Sequence, residues 1–402
     1  MNAESGSGVN RVRSRRLTKD EEGRDVNANS EPERRPLKGV KVVETSSYLT
    51  GPFAGLNLAD LGADVLKIEP EEGDGFRRFG HQRRKLSATW ASSNRDKRSI
   101  FLNLKSEEGR QRALAEIRDA DVLIGNWRPH VAESLGLGRD TLRALNPRLI
   151  NLAISGFGES GQMAGKPTYD SLIQARTGLC TYGHPEGAPK LSPLWTVDKV
   201  VGIQAAQAVC AALYQRERTG VGCDIELSML DVAAYFNMLE MMQTRVFEGD
   251  DAPPKVTPST MFETADGHIL ICPVNGKQMS RTLDAIGKPE WKKKITSLDH
   301  PIERTEAFYT YVRKAIKTRT SLEWLETLEA YDVPCGPVWG MDEHLVDPAV
   351  AESEIYTMIG EPGDRMRAVR YPALFDGCKL KPRNAARRLE SYSERIIEKA
   401  TK

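Results

Sequence analysis

The hydrophobic and polar positions of this chain follow two alternating periods, which predict a parallel α/β domain. Short apolar runs of the kind that form buried strands lie at residues 40–44, 64–69, 99–104, 121–125 and 149–155. The stretches between them carry apolar residues at helical spacing. They lie at 52–62 and 107–120, and a further helix ends at 141–146. Strands that alternate with helices pair in parallel through right-handed crossovers. The pattern therefore predicts a doubly wound α/β fold for the ordered residues up to about 155.

Two longer apolar helices and a further strand are predicted next. Residues 199–215 are apolar over most of the helix surface and rich in small side chains, which indicates a buried helix in close contact with another. A strand is predicted at 223–227 and a methionine-rich helix at 229–247. We interpret the methionines as packing residues rather than as a ligand surface.

Changes in composition divide the chain into domains. Residues 1–36 are polar and nearly free of aliphatic side chains, which predicts a disordered tail. Acids and prolines at 248–258 indicate a linker, and a hairpin that turns at Asp266-Gly267 begins a small α+β domain with helices at 279–286, 305–316 and 321–331. The predicted boundaries are a tail at 1–36, a large domain at 37–228, a helix and linker at 229–254, a small domain at 255–335, and a returning segment at 336–402 with an amphipathic helix at 384–400.

Composition narrows the class of protein. The 402 residues include 57 Lys and Arg against 56 Asp and Glu, a net charge of +1 that argues against a nucleic-acid binder or an anionic-membrane binder. No apolar run approaches the ~18 residues of a membrane-spanning helix, and several acids in the tail argue against an import peptide. The six cysteines are scattered with no C-x-x-C pair, as in proteins of a reducing compartment. A soluble cytoplasmic enzyme is expected.

Residues 156–161 match the dinucleotide fingerprint G-x-G-x-x-G and follow a predicted strand. The fingerprint requires a helix directly afterwards, because the helix N-terminus binds the pyrophosphate. Here Gly165 and Pro167 fall where its first turns would be. A nucleotide-dependent dehydrogenase therefore remains only as an alternative.

Metal catalysis is not expected from this sequence. The chain has no P-loop, G-x-S-x-G or H-E-x-x-H motif, and its six histidines are isolated from one another. One of them, His184, lies in a glycine- and proline-containing turn, which favours a surface position.

Two aspartates precede or open predicted helices. Asp170 begins the helical run after Tyr169, and Asp198 lies directly before the small-residue helix. Either could be an N-cap, which is the common role of aspartate at such a position. A carboxylate at a helix N-terminus is also favoured in its charged form, which is the form that acts as a nucleophile. Both interpretations stay open on the residues alone.

Basic residues cluster at 94–98 and at 126–129. Charged clusters are usually solvated surface. However, Asn126, Trp127 and Arg128 directly follow a predicted strand, and open α/β sheets bind ligands at the carboxyl ends of their strands. An aromatic ring beside a guanidinium suits an adenine ring and phosphates.

A series of ordered motifs resembles the class III CoA-transferases, which include formyl-CoA:oxalate and crotonobetainyl-CoA:carnitine CoA-transferases and the related α-methylacyl-CoA racemases. The motifs are Leu37-Lys38-Gly39, Gly51-Pro52-Phe53, residues 58–65, Lys67-Ile68-Glu69-Pro70, Asn94-Arg95, Lys97-Arg98-Ser99, residues 102–105, residues 126–129, Leu135-Gly136-Leu137, residues 146–150, Ser155-Gly156-Phe157-Gly158, residues 216–220, residues 228–231 and residues 333–338. They extend from about residue 37 to 350 in the family's order.

The resemblance implies a Rossmann-like large domain and a small domain joined by long linkers, with two ring-like subunits interlocked as a homodimer. It implies CoA or acyl-CoA as a substrate rather than a permanently bound cofactor, and a free carboxylic acid as the second substrate. The positions that match the family's CoA-contacting residues are Leu102, Lys105, Asn126, Trp127, Arg128 and Tyr169. Asp198 matches the catalytic aspartate, which forms anhydride and CoA-thioester intermediates, and Asp170 matches a supporting carboxylate.

Alternatives within the same fold are an α-methylacyl-CoA racemase and a catalytically silent CoA-binding protein. The racemase branch carries a histidine where this chain has Tyr169, and a tyrosine with its ordinary pKa of about 10 is a poor general base at neutral pH. Retention of Asp198 argues against a silent protein. Oxalate enzymes carry Gln and Arg where this chain has Leu49, Pro70 and Ser134, which argues against oxalate as the substrate.

Overall fold

The computed structural model describes residues 35–182, 187–249 and 259–389, together with the backbone of Thr18–Lys19 and Asp25–Val26, two short strands that pair antiparallel. Most of the predicted tail, His184 and residues 250–258 of the predicted linker therefore lie outside the described residues. The chain divides into two compact units, residues 1–249 with 355–402, and residues 250–354.

The first unit is built on a six-stranded parallel sheet. Its strands are β1 (Lys41–Glu44), β2 (Asp64–Glu69), β3 (Lys97–Phe101), β4 (Val122–Gly125), β5 (Ile150–Ser155) and β6 (Asp224–Ser228). They lie in the order β3-β2-β1-β4-β5-β6, and every neighbouring pair is parallel. This is the strand order of the Rossmann fold, in which the direction of winding reverses between β1 and β4. The predicted parallel α/β fold is confirmed.

In the described part of the first unit, eight α-helices accompany the sheet. They are α1 (Thr50–Asp60), α2 (Ala88–Asn94), α3 (Glu107–Arg118), α4 (Val131–Ser134), α5 (Arg139–Leu145), α6 (Asp170–Arg176), α7 (Thr196–Thr219) and α8 (Met229–Met241). A 3₁₀ helix spans Gly75–Arg78, and a short hairpin joins Gln82–Arg83 to Leu86–Ser87. The helix predicted over 229–247 ends at Met241, and Val246 and Phe247 beyond it are 61% and 73% exposed.

Helices α1 and α7 pack together on one face of the sheet, and α3 packs on the other. The small-residue helix is buried as predicted, through Val201, Ala205 and Val209. Gly202 permits the close approach of α1, since a Cβ at this position would lie 2.9 Å from the Phe53 ring and 3.0 Å from the Thr50 carbonyl oxygen. A larger side chain here would push apart the N-terminal turns of the two helices.

The returning segment forms two hairpins, Tyr356–Ile359 with Met366–Val369 and Leu374–Phe375 with Cys378–Lys379. The helix predicted from residue 384 is wrong over the described residues 384–389, which have no helical structure. The Asp96 carboxylate accepts the N–H groups of Arg383 and Asn384 at 3.0 and 2.7 Å, and the Asp96 N–H donates to the Asn384 carbonyl. These bonds hold the segment in a non-helical conformation.

The second unit contains an antiparallel sheet in the order β7 (Met261–Glu263), β8 (His268–Ile271) and β9 (Cys335–Pro337). Its helices are α9 (Gly276–Ala285), α10 (Trp291–Thr296), α11 (Pro301–Ile316), α12 (Ser321–Ala330), α13 (Met341–Val346) and α14 (Pro348–Ser353). This compact unit spans residues 250–354, whereas the predicted small domain spans residues 255–335. In the described part of the chain, no helix is both long and apolar enough to cross a membrane.

Candidate active site

A cavity of about 410 Å³ lies at the carboxyl ends of the central strands of the first unit. Its lining residues, which define the Asp198 cavity, are Ser47, Tyr48, Thr50, Asn126, Trp127, Arg128, Pro129, Val131, Ile154, Ser155, Gly156, Phe157, Gly158, Gly165, Lys166, Pro167, Thr168, Tyr169, Asp198 and Met229. The segments that follow β1 and β4 form opposite walls. This is the point of reversed winding at which doubly wound sheets bind their ligands.

Asp198 is the third residue of α7, so its carboxylate lies at the positive end of the helix dipole. The Thr50 hydroxyl, at the start of α1, donates to Asp198 Oδ1 at 2.5 Å. Burial raises the pKa of Asp198 to about 6; the Thr50 hydrogen bond opposes this rise, and the negative charge of Asp170 adds to it. The carboxylate is therefore ionised at neutral pH yet more basic than an exposed one, which suits a nucleophile.

Asp170 is the first residue of α6 and is buried, with 4% of its surface exposed. It does not line the cavity. Its Oδ2 accepts the backbone N–H of Asp198 at 3.0 Å, and its Oδ1 accepts from Gln174 Nε2. Gln174 is fixed in turn, since its Oε1 accepts the N–H of Ser192 at 3.2 Å and its Nε2 donates to the Leu194 carbonyl at 3.1 Å.

The N-cap interpretation of the two aspartates is wrong in its simple form. The N-cap positions are Tyr169 for α6 and Trp195 for α7, and neither makes a capping hydrogen bond with its side chain. Asp170 instead satisfies a free N–H of the other helix, α7, and so fixes the turn that carries Asp198.

The three residues after β4 differ in their contacts. The Asn126 side chain pairs with the backbone of Ser47, accepting its N–H at 2.9 Å and donating to its carbonyl at 2.8 Å. Trp127 lines the cavity and packs against the core beneath α3. Arg128 is exposed and makes no ion pair with any described residue. Asn126 thus joins the two walls of the crevice, while Trp127 and Arg128 present an aromatic surface and a cation to it.

The other residues predicted to contact CoA fall into two groups. Tyr169 lines the cavity, is 60% exposed and makes an edge-to-face contact with Tyr48 at 5.9 Å between ring centroids. Leu102 and Lys105 do not line it. Leu102 packs against the core beneath α3, and Lys105 is exposed.

Residues 45–50, which run from the end of β1 to the start of α1, carry three cavity residues that sequence reasoning missed, Ser47, Tyr48 and Thr50. A buried ion cluster supports this segment. Lys67 Nζ lies 2.7 Å from Glu44 and 3.2 Å from Asp74, and it donates to the Ser46 carbonyl at 2.6 Å. The Asp74 carboxylate accepts the N–H of Tyr48, whose backbone has a left-handed φ of 65°. The available signal was the presence of Glu44 and Lys67 inside otherwise apolar strands.

A second lysine, Lys97, completes the cluster at 2.8 Å from Glu44. Although burial disfavours the charged carboxylate, Lys67 and Lys97 hold the pKa of Glu44 below its ordinary value. Burial lowers the pKa of Lys97 to about 8, since Glu44 compensates its desolvation only in part. The charges of the two buried lysines are thus not equally stabilised.

The glycine-rich segment 156–161 forms part of the cavity wall through Gly156 and Gly158. The chain continues through turns and irregular structure until α6 begins at Asp170, so the helix of a dinucleotide site does not follow, as predicted. Among the residues that the structure describes, no three His, Cys, Asp or Glu side chains are grouped so as to hold a metal ion.

Comparison with known proteins identifies the family of this chain. Residues 37–390 match CoA-transferase family III. The chain is 32% identical over 393 residues to a succinate–glutarate CoA-transferase of Agrobacterium fabrum, covering 91% of this chain and 96% of that protein. It is 32% identical over 349 residues to an acetyl-CoA:oxalate CoA-transferase of Acetobacter aceti, covering 84% and 90%.

Two solved structures have the same fold. The orthorhombic crystal structure of Rv3272 from Mycobacterium tuberculosis aligns with a TM-score of 0.77 and 29% identity, covering 87% of this chain and 96% of that one. A CaiB/BaiF family protein from Brucella suis aligns with a TM-score of 0.79 and 27% identity, covering 91% and 99%. The chain belongs to CoA-transferase family III and is a CoA-transferase.

Proposed function

We propose that this enzyme moves CoA from an acyl-CoA to a free carboxylic acid, with Asp198 as a covalent nucleophile. The observation that carries the proposal is the Asp198 carboxylate, which lines the cavity at the N-terminus of α7 with a pKa raised to about 6. A carboxylate of this basicity is still ionised at neutral pH. Exchange of CoA between two carboxylic acids involves no net oxidation or reduction.

The first half of the reaction loads the enzyme. Asp198 Oδ2 attacks the thioester carbonyl carbon, the carbon–sulfur bond breaks, and CoA leaves as a thiolate from a mixed anhydride. The thiolate then attacks Cγ of Asp198, which releases the donor carboxylate and leaves an aspartyl-CoA thioester. Retention of the thiolate in the cavity gives it a high effective concentration.

The second half reverses these steps with the acceptor. Its carboxylate attacks Cγ of Asp198 and expels CoA thiolate, and the thiolate attacks the acceptor's acyl carbon, freeing the Asp198 carboxylate. Each attack on Cγ develops negative charge on an aspartyl oxygen. The Thr50 hydroxyl already donates to Oδ1, so we assign it the stabilisation of that charge. The N–H of Asp198 is bonded to Asp170.

The walls of the cavity support a position for CoA. Trp127 offers an aromatic face, and Arg128 and Lys166 are exposed cations on the same lining. We propose that the nucleotide end of CoA binds along Trp127 and Arg128, with the pantetheine arm directed toward Asp198. Tyr169 would border the arm. Leu102 and Lys105, outside the lining, stay predictions from the resemblance.

The racemase alternative is less well supported. It requires the acid at position 170 to exchange a proton with the substrate, but Asp170 is buried, bonded to Gln174 and to the Asp198 N–H, and absent from the cavity lining. A carboxylate held in this way is suited to positioning α7 rather than to proton transfer.

We also propose a homodimer, in the interlocked arrangement that the resemblance implies. Helix α8 exposes Tyr235 (71%) and Leu239 (74%), and the residues after it expose Met242 (41%) and Val246 (61%). Exposed apolar side chains grouped in one segment of the chain favour an interface there. Analytical ultracentrifugation of wild type and Leu239→Glu tests the dimer.

All six cysteines are free thiols, which supports the cytoplasm as the working compartment.

Trapping of the covalent intermediate tests the proposed function. Purified enzyme is incubated with an acyl-CoA and hydroxylamine, and peptide mass spectrometry is used to locate an aspartyl hydroxamate, which we expect at residue 198. Asp198→Ala should form none and should lose CoA exchange. The matched control is Asp231→Asn, because Asp231 also lies in the first turn of a helix but is exposed. Full exchange activity in Asp198→Ala would refute the proposal.

A further inference from the structure

A second concavity lies beside the Asp198 cavity and shares none of its lining residues. It is an open groove of about 320 Å³, here called the Trp195 groove. Its lining residues are Leu49, Phe53, Phe76, Ala88, Thr89, Ser92, Ser93, Trp195 and Lys199. Five of these residues are aliphatic or aromatic, and Phe76 contacts Trp195 with ring centroids 5.7 Å apart.

The groove and the cavity flank the same pair of helix N-termini. Trp195 and Lys199 bracket Asp198 in the first turns of α7, and the Lys199 N–H donates to the Trp195 carbonyl at 3.3 Å. Leu49 directly precedes Thr50, whose hydroxyl is bonded to Asp198. An acyl group attached near Asp198 therefore has the CoA cavity on one side and this groove on the other.

Lys199 is the one charged residue among those that line the groove. Its side chain is half-buried, and it makes no hydrogen bond or ion pair with any residue that the structure describes. An ammonium group that no described carboxylate pairs with is available to an anionic group of a substrate.

We propose that the Trp195 groove is the acyl subsite and that it selects dicarboxylic acids with an apolar spacer. One carboxylate reacts at Asp198, the methylene spacer lies against the apolar walls, and the distal carboxylate binds Lys199. The inference rests on the proposed function and adds the substrate class to it. An acid without a spacer leaves the apolar walls unfilled, and a monocarboxylic acid leaves Lys199 unpaired, so both are poorer substrates.

The test compares acceptors of equal length that differ in one charge. With succinyl-CoA as donor, kcat/KM is measured for glutarate and for valerate by mass spectrometry of the acyl-CoA products. Wild type should prefer glutarate, and Lys199→Met should lower the glutarate-to-valerate ratio at least about tenfold, mainly through KM. Lys199→Arg should retain most of the preference. Lys41→Met is the matched control, because Lys41 is an exposed lysine at the opposite end of β1 from the cavity.

A second variant tests the groove independently of charge. Ser92 is an exposed residue of α2 on the groove lining, and Ser92→Trp should occupy the groove. It should lower kcat/KM for glutarate about tenfold relative to acetate, which has no methylene spacer to place in the groove. Equal effects on both acids would overturn the inference.

The Asp198 hydroxamate and the glutarate-to-valerate ratio together distinguish a failure of the subsite from a failure of the proposed function. A normal Asp198 hydroxamate in wild type, with a ratio that Lys199→Met leaves unchanged or with no preference for glutarate, overturns the dicarboxylate subsite alone. Absence of the hydroxamate overturns the proposed function and the subsite with it.

Discussion

The backbone N–H of Asp198 donates to Oδ2 of Asp170 at 3.0 Å, across 28 residues of sequence. A carboxylate of one helix thus binds the free N-terminal end of another and orients the residue that we assign as nucleophile. The Asp170 charge also raises the pKa of Asp198. Asp170 is therefore a positioning residue with an electrostatic effect that can be measured separately.

Asp170→Asn should lower kcat about tenfold while changing KM little. An asparagine has one acceptor oxygen for two donors, the Asp198 N–H and Gln174 Nε2, and Gln174 cannot turn its amide without losing its bond to Ser192. Loss of the Asp170 charge should also move the acidic limb of the pH–rate profile to lower pH, which disordering of the turn alone would not do. Asp140→Asn, in the first turn of α5, is the control.

Thr50→Val should move the acidic limb of the pH–rate profile to higher pH. The Thr50 hydrogen bond lowers the pKa of Asp198, so its loss raises that pKa above about 6 and moves the limb upward by about one pH unit. We expect kcat to fall as well, because the hydroxyl stabilises the charge that develops on Oδ1. Thr50→Ser should retain both properties. An acidic limb that stays in place in Thr50→Val would show that the hydroxyl does not govern the nucleophile.

Asp198→Asn should stabilise the folded protein at pH 7 by about 1–2 kcal/mol. The folded-state pKa of Asp198, about 6, lies above its unfolded value of 3.8, so folding is disfavoured once the group ionises. The stability difference between this variant and wild type should therefore be small below pH 4, should grow between pH 4 and pH 6, and should level off above pH 6. Urea unfolding at pH 4 and pH 7 measures it. Equal differences at the two pH values would contradict the raised pKa.

Arg128→Ala should raise KM for acyl-CoA about tenfold and leave kcat nearly unchanged, because its exposed cation would bind the nucleotide phosphates. The same variant should turn over an acyl-pantetheine as well as wild type does, since this substrate lacks the nucleotide. Steady-state kinetics with the two substrates gives the comparison. A loss that is equal for both would place Arg128 elsewhere in the mechanism.

The two lysines of the buried cluster should differ in their importance for stability. Lys67→Met should lower the free energy of unfolding by about 3–5 kcal/mol, because Glu44 and Asp74 lose a shared partner and the Ser46 carbonyl loses a donor. Lys97→Met should cost less, since burial already lowers the pKa of Lys97 to about 8. Urea unfolding of both variants at pH 7 measures the order, and a larger loss in Lys97→Met would reverse our assignment.

The sheet could be predicted from sequence because each strand is a short apolar run with clear limits. The strand predicted at 64–69 agrees residue for residue with Asp64–Glu69, between Gly62 and Pro70. The helix prediction was wrong at 384–389 because a distant residue determines the conformation there. The helical periodicity of this segment competes with hydrogen bonds to Asp96, which lies almost 300 residues earlier in the chain. A local sequence pattern contains no information about so distant a partner.

The candidate site could be predicted only in part. Five of the residues selected from sequence, Asn126, Trp127, Arg128, Tyr169 and Asp198, line one cavity, because they follow or face the carboxyl ends of parallel strands. The role of Asn126 could not be foreseen, since its partner is the backbone of a different segment.

For a similar reason, the sequence did not identify Thr50 as a site residue. A lone threonine before a glycine and a proline carries no chemical signal in sequence. It becomes a donor to Asp198 only because α1 and α7 pack closely at Gly202.

The paired hydrogen bonds between Asn126 and Ser47 have a consequence for how substrate enters. They connect the two walls of the crevice before any ligand arrives, so the gap between the walls is fixed by the protein itself. Association then requires little rearrangement of these walls, and the entropy of ordering them is lost during folding rather than during each catalytic cycle. Weakening this connection should therefore slow capture of the thioester more than it slows the chemistry that follows.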